Sequence, residues 1–155
     1  MSFTYKYPHM AVTVDVALFA ATDPTRLLLI QRRKDPFKAC WALPGGFVDM
    51  GETAVHAAAR ELAEETGVTD VPLHFVSFFD AIGRDPRERT LSLAFYGVTP
   101  RKLRAQGGDD ASAAKWHSIH ALPPLAFDHA EIIRAALKKA RTQLKSMTSP
   151  AQAPR

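Results

Sequence analysis

The sequence predicts an α/β (α+β) domain, with strands and two helices built around a mixed β-sheet. Three observations lead there. Runs rich in Val, Leu and Phe recur along the chain, several with the period-two alternation of strands. Two segments, 54–66 and 131–145, carry helical periodicity and follow capping or turn residues. The 155 residues are 46% hydrophobic and 23% charged, which suits one globular domain with its own core. Residues 1–146 are read as a single domain. The small, polar, proline-containing segment 147–155 is read as a disordered tail.

The elements follow in order. MAVTVDVALFA (10–20) alternates and is Val-rich, so it reads as a strand. Asp23-Pro24 marks a turn. RLLLIQRR (26–33) is a short apolar run ending in charge, a second and central strand. WALPGGFVDMGE (41–52) reads as a short strand, a tight bend and another short extended piece, because Pro44, Gly45 and Gly46 interrupt it. Thr53 is positioned to cap a helix over 54–66, and Gly67 stands where a helix-ending glycine belongs. VPLHFVSFFDAI (71–82) predicts a long third strand. GRDPRER (83–89) is a polar loop, and TLSLAFYGVTP (90–100) is a fourth strand. AAKWHSI (113–119) is a last short strand, followed by a proline-marked connection and the helix EIIRAALKKARTQLK (131–145). Asp128 precedes that helix and fits its N-cap.

Composition excludes several classes. No apolar run reaches the ~18 residues of a membrane helix, since Asp15 breaks the longest candidate. Cys40 is the only cysteine, so no internal disulfide forms, and a cytoplasmic location is the expectation. Residues 1–100 carry a net charge of −2 and residues 101–155 a net +6. No aromatic interleaving or zinc-finger spacing accompanies the basic end, so it reads as a solvated amphipathic helix, not a nucleic-acid surface.

Residues 45–68, GGFVDMGETAVHAAARELAEETGV, concentrate charge beside a glycine bend. On a wheel at about 100° per residue, Val55, Ala59, Leu62 and Thr66 share one arc, the face expected to pack on the sheet. Glu61, Glu64 and Glu65 share a neighbouring arc with Ala54, Ala57 and Ala58. Like charges at these spacings destabilise a helix by roughly 0.2–0.5 kcal/mol each. They also sit in its last turn, where the dipole disfavours anions. A hard divalent cation, Mg²⁺ by preference, would reverse both costs and pair with phosphates. Glu52, at the helix start, can reach Arg60 and fix the loop to the helix. The alternative is an ordinary solvated acidic face.

Gly46, five residues, Glu52, seven residues, then Arg60-Glu61-Leu62-Ala63-Glu64-Glu65-Thr66-Gly67-Val68 resembles the signature of the Nudix hydrolases over 23 residues. The likeness in strand order extends over about residues 10–145. The resemblance implies an α/β/α sandwich and hydrolysis, with Mg²⁺ or Mn²⁺, of a nucleoside diphosphate linked to another group. It makes Glu61 and Glu65 the principal metal ligands, Glu64 a further ligand or a base, and the Gly45 carbonyl an additional ligand. Glu52 and Arg60 keep their structural pairing. The metal's expected part is to clamp phosphate oxygens and lower the pKa of an attacking water.

KDPFKACWALPGGF, GRDPRER and LPPLAFDHAEII resemble the ADP-ribose pyrophosphatase branch of the family. They also resemble the Nudix domain of repressors that sense ADP-ribose and carry a DNA-binding domain after it. That domain has no counterpart within the 155 residues, so the expected partner is a small nucleotide. Nucleic acid and membrane are not expected, and a homodimer is possible. Many ADP-ribose enzymes place a proline about sixteen residues beyond the signature; here that position is Arg84, and the nearest proline is Pro86. Arg33, Arg84, Arg87 and Arg89 are candidate phosphate binders, Asp85 or Glu88 a candidate base, and Trp41 a candidate stacking platform. Two other readings are kept: a nucleoside triphosphate pyrophosphohydrolase and a non-catalytic ADP-ribose sensor.

Overall fold

A computed structural model describes residues 2–108 and 111–149. Seven strands form one mixed sheet: β1 (Ala11–Ala20), β2 (Arg26–Arg32), β3 (Trp41–Ala42), β4 (Gly45–Phe47), β5 (His74–Phe79), β6 (Thr90–Thr99) and β7 (Ala111–Ser118). The helices are α1 (Ala54–Thr66) and α2 (His129–Thr148). The main path runs β3-β2-β1-β6-β5; β4 pairs with β1 and β7 with β2. Among the described strand pairs only β1–β6, in register from Ala11–Thr90 to Ala20–Thr99, is parallel.

Strand alternation divides the core in two. Val14, Val16 and Leu18 of β1 pack with Ala57, Ala58 and Leu62 of α1. Ala17 and Phe19 face the other way and pack with Ile132, Ile133 and Ala136 of α2. Cover on both faces explains why β1 is buried from Thr13 to Ala20. The result is the expected α/β/α sandwich around a mixed sheet. No helix among the described residues is long and apolar enough to cross a membrane.

Helix α1 has the expected ends: the Thr53 hydroxyl accepts the His56 N–H, and Gly67, at φ 74°, closes the helix on the Ala63 carbonyl. Its packing face differs from the wheel reading. The buried residues are Ala57, Ala58, Leu62, Glu65 and Thr66, whereas Val55 is exposed. The alanines let the helix approach the sheet closely. That close approach turns Glu61 and Glu65 inward, where larger residues would have held the helix away.

Two other elements depart from expectation. β5 spans only Phe79 back to His74, not 71–82. Pro72 has no N–H to give a ladder, and the Asp80 carbonyl is taken by Arg89 at 2.6 Å. α2 is longer than expected and reaches Thr148, so Met147 and Thr148 of the expected tail are helical; residues 150–155 lie outside the described residues.

Candidate active site

β4 lies against β1, with Gly45 opposite Asp15 and Gly46 opposite Val14. In such a ladder alternate residues turn their N–H and C=O away from the partner strand. The Val16 N–H bonds to the Pro44 carbonyl, so Gly45 turns its backbone the other way, towards α1. Its N–H donates to Glu65 Oε2 at 2.9 Å. Each glycine leaves room for a close neighbour. A Cβ on Gly45 would collide with the Val14 carbonyl and lie 2.8 Å from Asp15 Oδ1. A Cβ on Gly46 would run into the Glu61 carboxylate.

Glu65 is 8% exposed. Burial pushes its carboxyl up to about 8; the Gly45 N–H works against this, while Glu61 and Asp15 add to it. Burial likewise raises Glu61, against the pull of Arg60. Two adjacent carboxyls held above their usual range form an oxygen-only donor set that gains from a cation. Among the described residues, no three His, Cys, Asp or Glu side chains converge into a complete cage. Glu61, Glu65 and the Gly45 carbonyl fit a hard cation that draws its remaining ligands from water and phosphate.

Arg60 ties the motif together more tightly than expected. It donates to Glu52 at 2.6 and 3.1 Å, to Glu61 Oε1 at 2.7 Å, to Glu64 Oε2 at 3.1 Å and to the Phe47 carbonyl at 3.0 Å. Glu52 also accepts the Asp49 N–H at 2.9 Å, so the loop is pinned to the helix as the sequence suggested. Arg60, with the Asp49 N–H, holds the Glu52 carboxyl down at about 2. Glu64 is the outer member: its side chain is 43% exposed and it does not line the cleft.

The cleft beside these groups encloses about 320 Å³. Glu61, Glu65, Gly45 and Gly46 line it together with Asp15, Asp85, Arg32, Arg33, Lys34, Arg60, Arg84, Arg87, Phe47 and Phe127. A space lined by both carboxylates and cations suits a metal-bound diphosphate. Arg32 lies over the Phe127 ring at 4.9 Å, and Arg87 lies near both phenylalanines at 5.4 and 5.7 Å.

Two expected residues stand outside the cleft, and a third is engaged within it. Trp41 does not line the cleft; it packs on the core and meets the His117 ring edge-on at 4.5 Å. Arg89 does not line it either and is used to hold the Asp80 carbonyl. Asp85 lines the cleft, but Arg87 clamps it at 2.7 and 3.0 Å. Burial raises that carboxyl, yet the clamp outweighs burial and holds it below its ordinary value, which does not suit a base.

Sequence reasoning named Arg84 but missed the polar group to which it belongs. Asp15, Arg84, Asp128 and His129 come together from β1, the β5–β6 loop and the start of α2. Asp128 does not cap α2 with its side chain; it accepts two hydrogen bonds from Arg84, at 2.9 and 2.7 Å. Asp15 meets His129 Nε2 at 3.2 Å and accepts from Ser92. Burial raises the Asp15 carboxyl, but His129, Ser92 and Arg84 outweigh it and leave it lowered. Asp15 was visible as the one charge in an apolar strand. Arg84 was named as a candidate phosphate binder and Asp128 as a cap, but their pairing and the part of His129 carry no signal, because only the fold brings them together.

The chain matches the model of the NUDIX domain over residues 10–136. It is 42% identical over 129 residues to an ADP-ribose pyrophosphatase of Methanocaldococcus jannaschii, covering 83% of this chain and 73% of that protein. It is 32% identical over 149 residues to an ADPR-responsive transcriptional repressor of Acinetobacter baylyi, covering 93% of this chain and 60% of the repressor. Among solved structures it resembles a bifunctional NMN adenylyltransferase/ADP ribose pyrophosphatase of Francisella tularensis in complex with AMP and a manganese ion. That likeness has a TM-score of 0.75 at 29% identity and covers 87% of this chain and 43% of that one. With the signature, the sandwich and the paired carboxylates all in place, the chain belongs to the Nudix family and is a Nudix hydrolase.

Proposed function

We propose that the protein hydrolyses ADP-ribose to AMP and ribose 5-phosphate in the presence of Mg²⁺ or Mn²⁺. The observation that carries this reading is that buried Glu65 and half-buried Glu61 line the same cleft as Arg33 and Arg87. The similarity to ADP-ribose pyrophosphatases supports the choice of substrate. Glu61, Glu65 and the Gly45 carbonyl would hold the cation. When bound, the cation would neutralise phosphate charge and acidify an attacking water.

The chain's own residues do the rest. The Gly45 N–H fixes the direction of the Glu65 carboxylate. Arg60 and Glu52 hold the loop that carries Gly45 and Gly46 onto α1. Arg33 and Arg87, which line the same cleft, would meet the diphosphate and orient it, and positioning of this kind contributes much of the acceleration in phosphoryl chemistry. Comparison of kcat/KM for ADP-ribose with that for a panel of nucleoside triphosphates tests the substrate. ADP-ribose should lead; a strong preference for any triphosphate would move the protein to the triphosphate-hydrolysing branch.

A second reading keeps the cleft and gives up turnover: an ADP-ribose-sensing module, favoured by the likeness to the repressor. ADP-ribose binding without AMP release, across metals and pH, would select it.

A further inference from the structure

We propose that His129 is a positioning residue: bonded to Leu43 on one side and Asp15 on the other, it holds the bend that aims the Gly45 N–H at Glu65. His129 is the first residue of α2 and is 3% exposed. Its Nδ1 accepts the Leu43 N–H at 3.0 Å. A backbone N–H can only donate, so the ring proton belongs on Nε2, 3.2 Å from Asp15 Oδ1. The ring therefore joins two segments by one donated and one accepted bond.

Both segments bear on Gly45. Leu43 precedes it by two residues, and Asp15 is its partner across the β1–β4 ladder. The Asp15 carboxylate lies so close that a Cβ on Gly45 would stand 2.8 Å from it. Gly45 then has little freedom except to present its N–H to Glu65, which it does at 2.9 Å. The brace is itself held. Phe127 takes a left-handed backbone at φ 50°, unusual for a side chain of that size. Arg84 grips Asp128, and Ser92 grips Asp15. An apolar side chain could fill the space of His129 without desolvating polar groups. Buried polar groups joined in this way, at the edge of a cleft, mark a site where geometry is being fixed.

The proposal rests on the reading of Glu65 as the working carboxylate, and the test separates the two. His129→Asn puts an amide oxygen where Nδ1 stands and keeps the bond to Leu43. His129→Gln puts an amide nitrogen where Nε2 stands and keeps only the bond to Asp15. The amide of Gly45 is followed by NMR in metal-free, glycine-labelled protein, with Glu65→Gln identifying its resonance. In His129→Gln the amide should lose its downfield position and exchange at least about tenfold faster. In His129→Asn it should stay close to wild type. Kinetically, kcat for ADP-ribose should fall roughly 10- to 100-fold in the Gln variant and be largely rescued in the Asn variant, with KM little changed.

A Gly45 amide that ignores residue 129, or equal effects of Asn and Gln, would overturn the proposal. So would a displaced amide with unchanged kcat. If the Asn variant fails to fold, His129 is a brace for the fold and the proposal also fails. Failure of the functional reading shows elsewhere, as wild-type protein that does not turn over ADP-ribose, and the amide readout then still decides the positioning.

Discussion

Arg84 and Asp128, 44 residues apart in sequence, meet through two hydrogen bonds of 2.9 and 2.7 Å at the floor of the cleft. The Arg84 side chain is 4% exposed. Removing Arg84 leaves the half-buried Asp128 carboxylate without its partner. Arg84→Met should therefore cost up to about 3–5 kcal/mol. Arg84→Met with Asp128→Leu should cost less than the two single changes added together. Urea unfolding measures both; additive losses would mean that the two groups act independently.

Gly45→Ala and Gly46→Ala should part company. On Gly45 the new methyl meets the rigid Val14 carbonyl, so the fold must distort and the melting temperature should fall. On Gly46 it meets only the far end of the Glu61 side chain, which can swing aside. Gly46→Ala should melt within a few degrees of wild type yet lose kcat, because Glu61 is displaced. Equal melting temperatures for the two variants would contradict this geometry.

Glu65 makes stability fall with rising pH in metal-free protein. Its folded pKa of about 8 lies above its ordinary value of 4.5, so the folded state holds the proton that the unfolded state has released. Its contribution is fully present below pH 4.5 and is lost as pH rises towards 8. Melts at pH 5 and pH 8 in chelator should show this decline, and Glu65→Gln should flatten it. A variant with the same decline as wild type would place its source elsewhere.

Glu52 works in the opposite direction. Its folded value of about 2 lies below 4.5, so its contribution is present above pH 4.5 and is lost as pH falls towards 2. Glu52→Gln should lower the melting temperature at pH 7 and narrow the gap from wild type below pH 3. The same melts, extended into acid, give the answer; a gap that stays constant would mean that the pairing with Arg60 contributes nothing.

Local signals carried much of this molecule. Helix α1 begins and ends where Thr53 and Gly67 indicated, because caps act within a turn of themselves. The motif's pairing of Glu52 with Arg60 was legible for the same reason: one helix and its leading loop contain both. The rotation of α1 was not legible, since periodicity ranks Val55 above alanine while close packing prefers the alanines. Trp41 and Arg89 stand outside the cleft because Trp41 packs on the core beside His117 and Arg89 is used to hold the Asp80 carbonyl, contacts that depend on strand ends the sequence locates poorly. Asp15, Arg84, Asp128 and His129 became a site only through the register of β1, the reach of one loop and the start of α2.

On the proposed function, Glu61 and Glu65 carry metal-dependent hydrolysis. This is tested most directly by AMP release from ADP-ribose, with Mg²⁺, by wild type, Glu61→Gln and Glu65→Gln, beside melts with and without the metal. Each variant should lose at least about 100-fold in kcat/KM, roughly 3 kcal/mol of barrier. Wild type should melt higher with Mg²⁺ by mass action, and Glu65→Gln should gain far less. Near-normal turnover in either variant would reduce the acidic stretch to a surface feature and contradict the account.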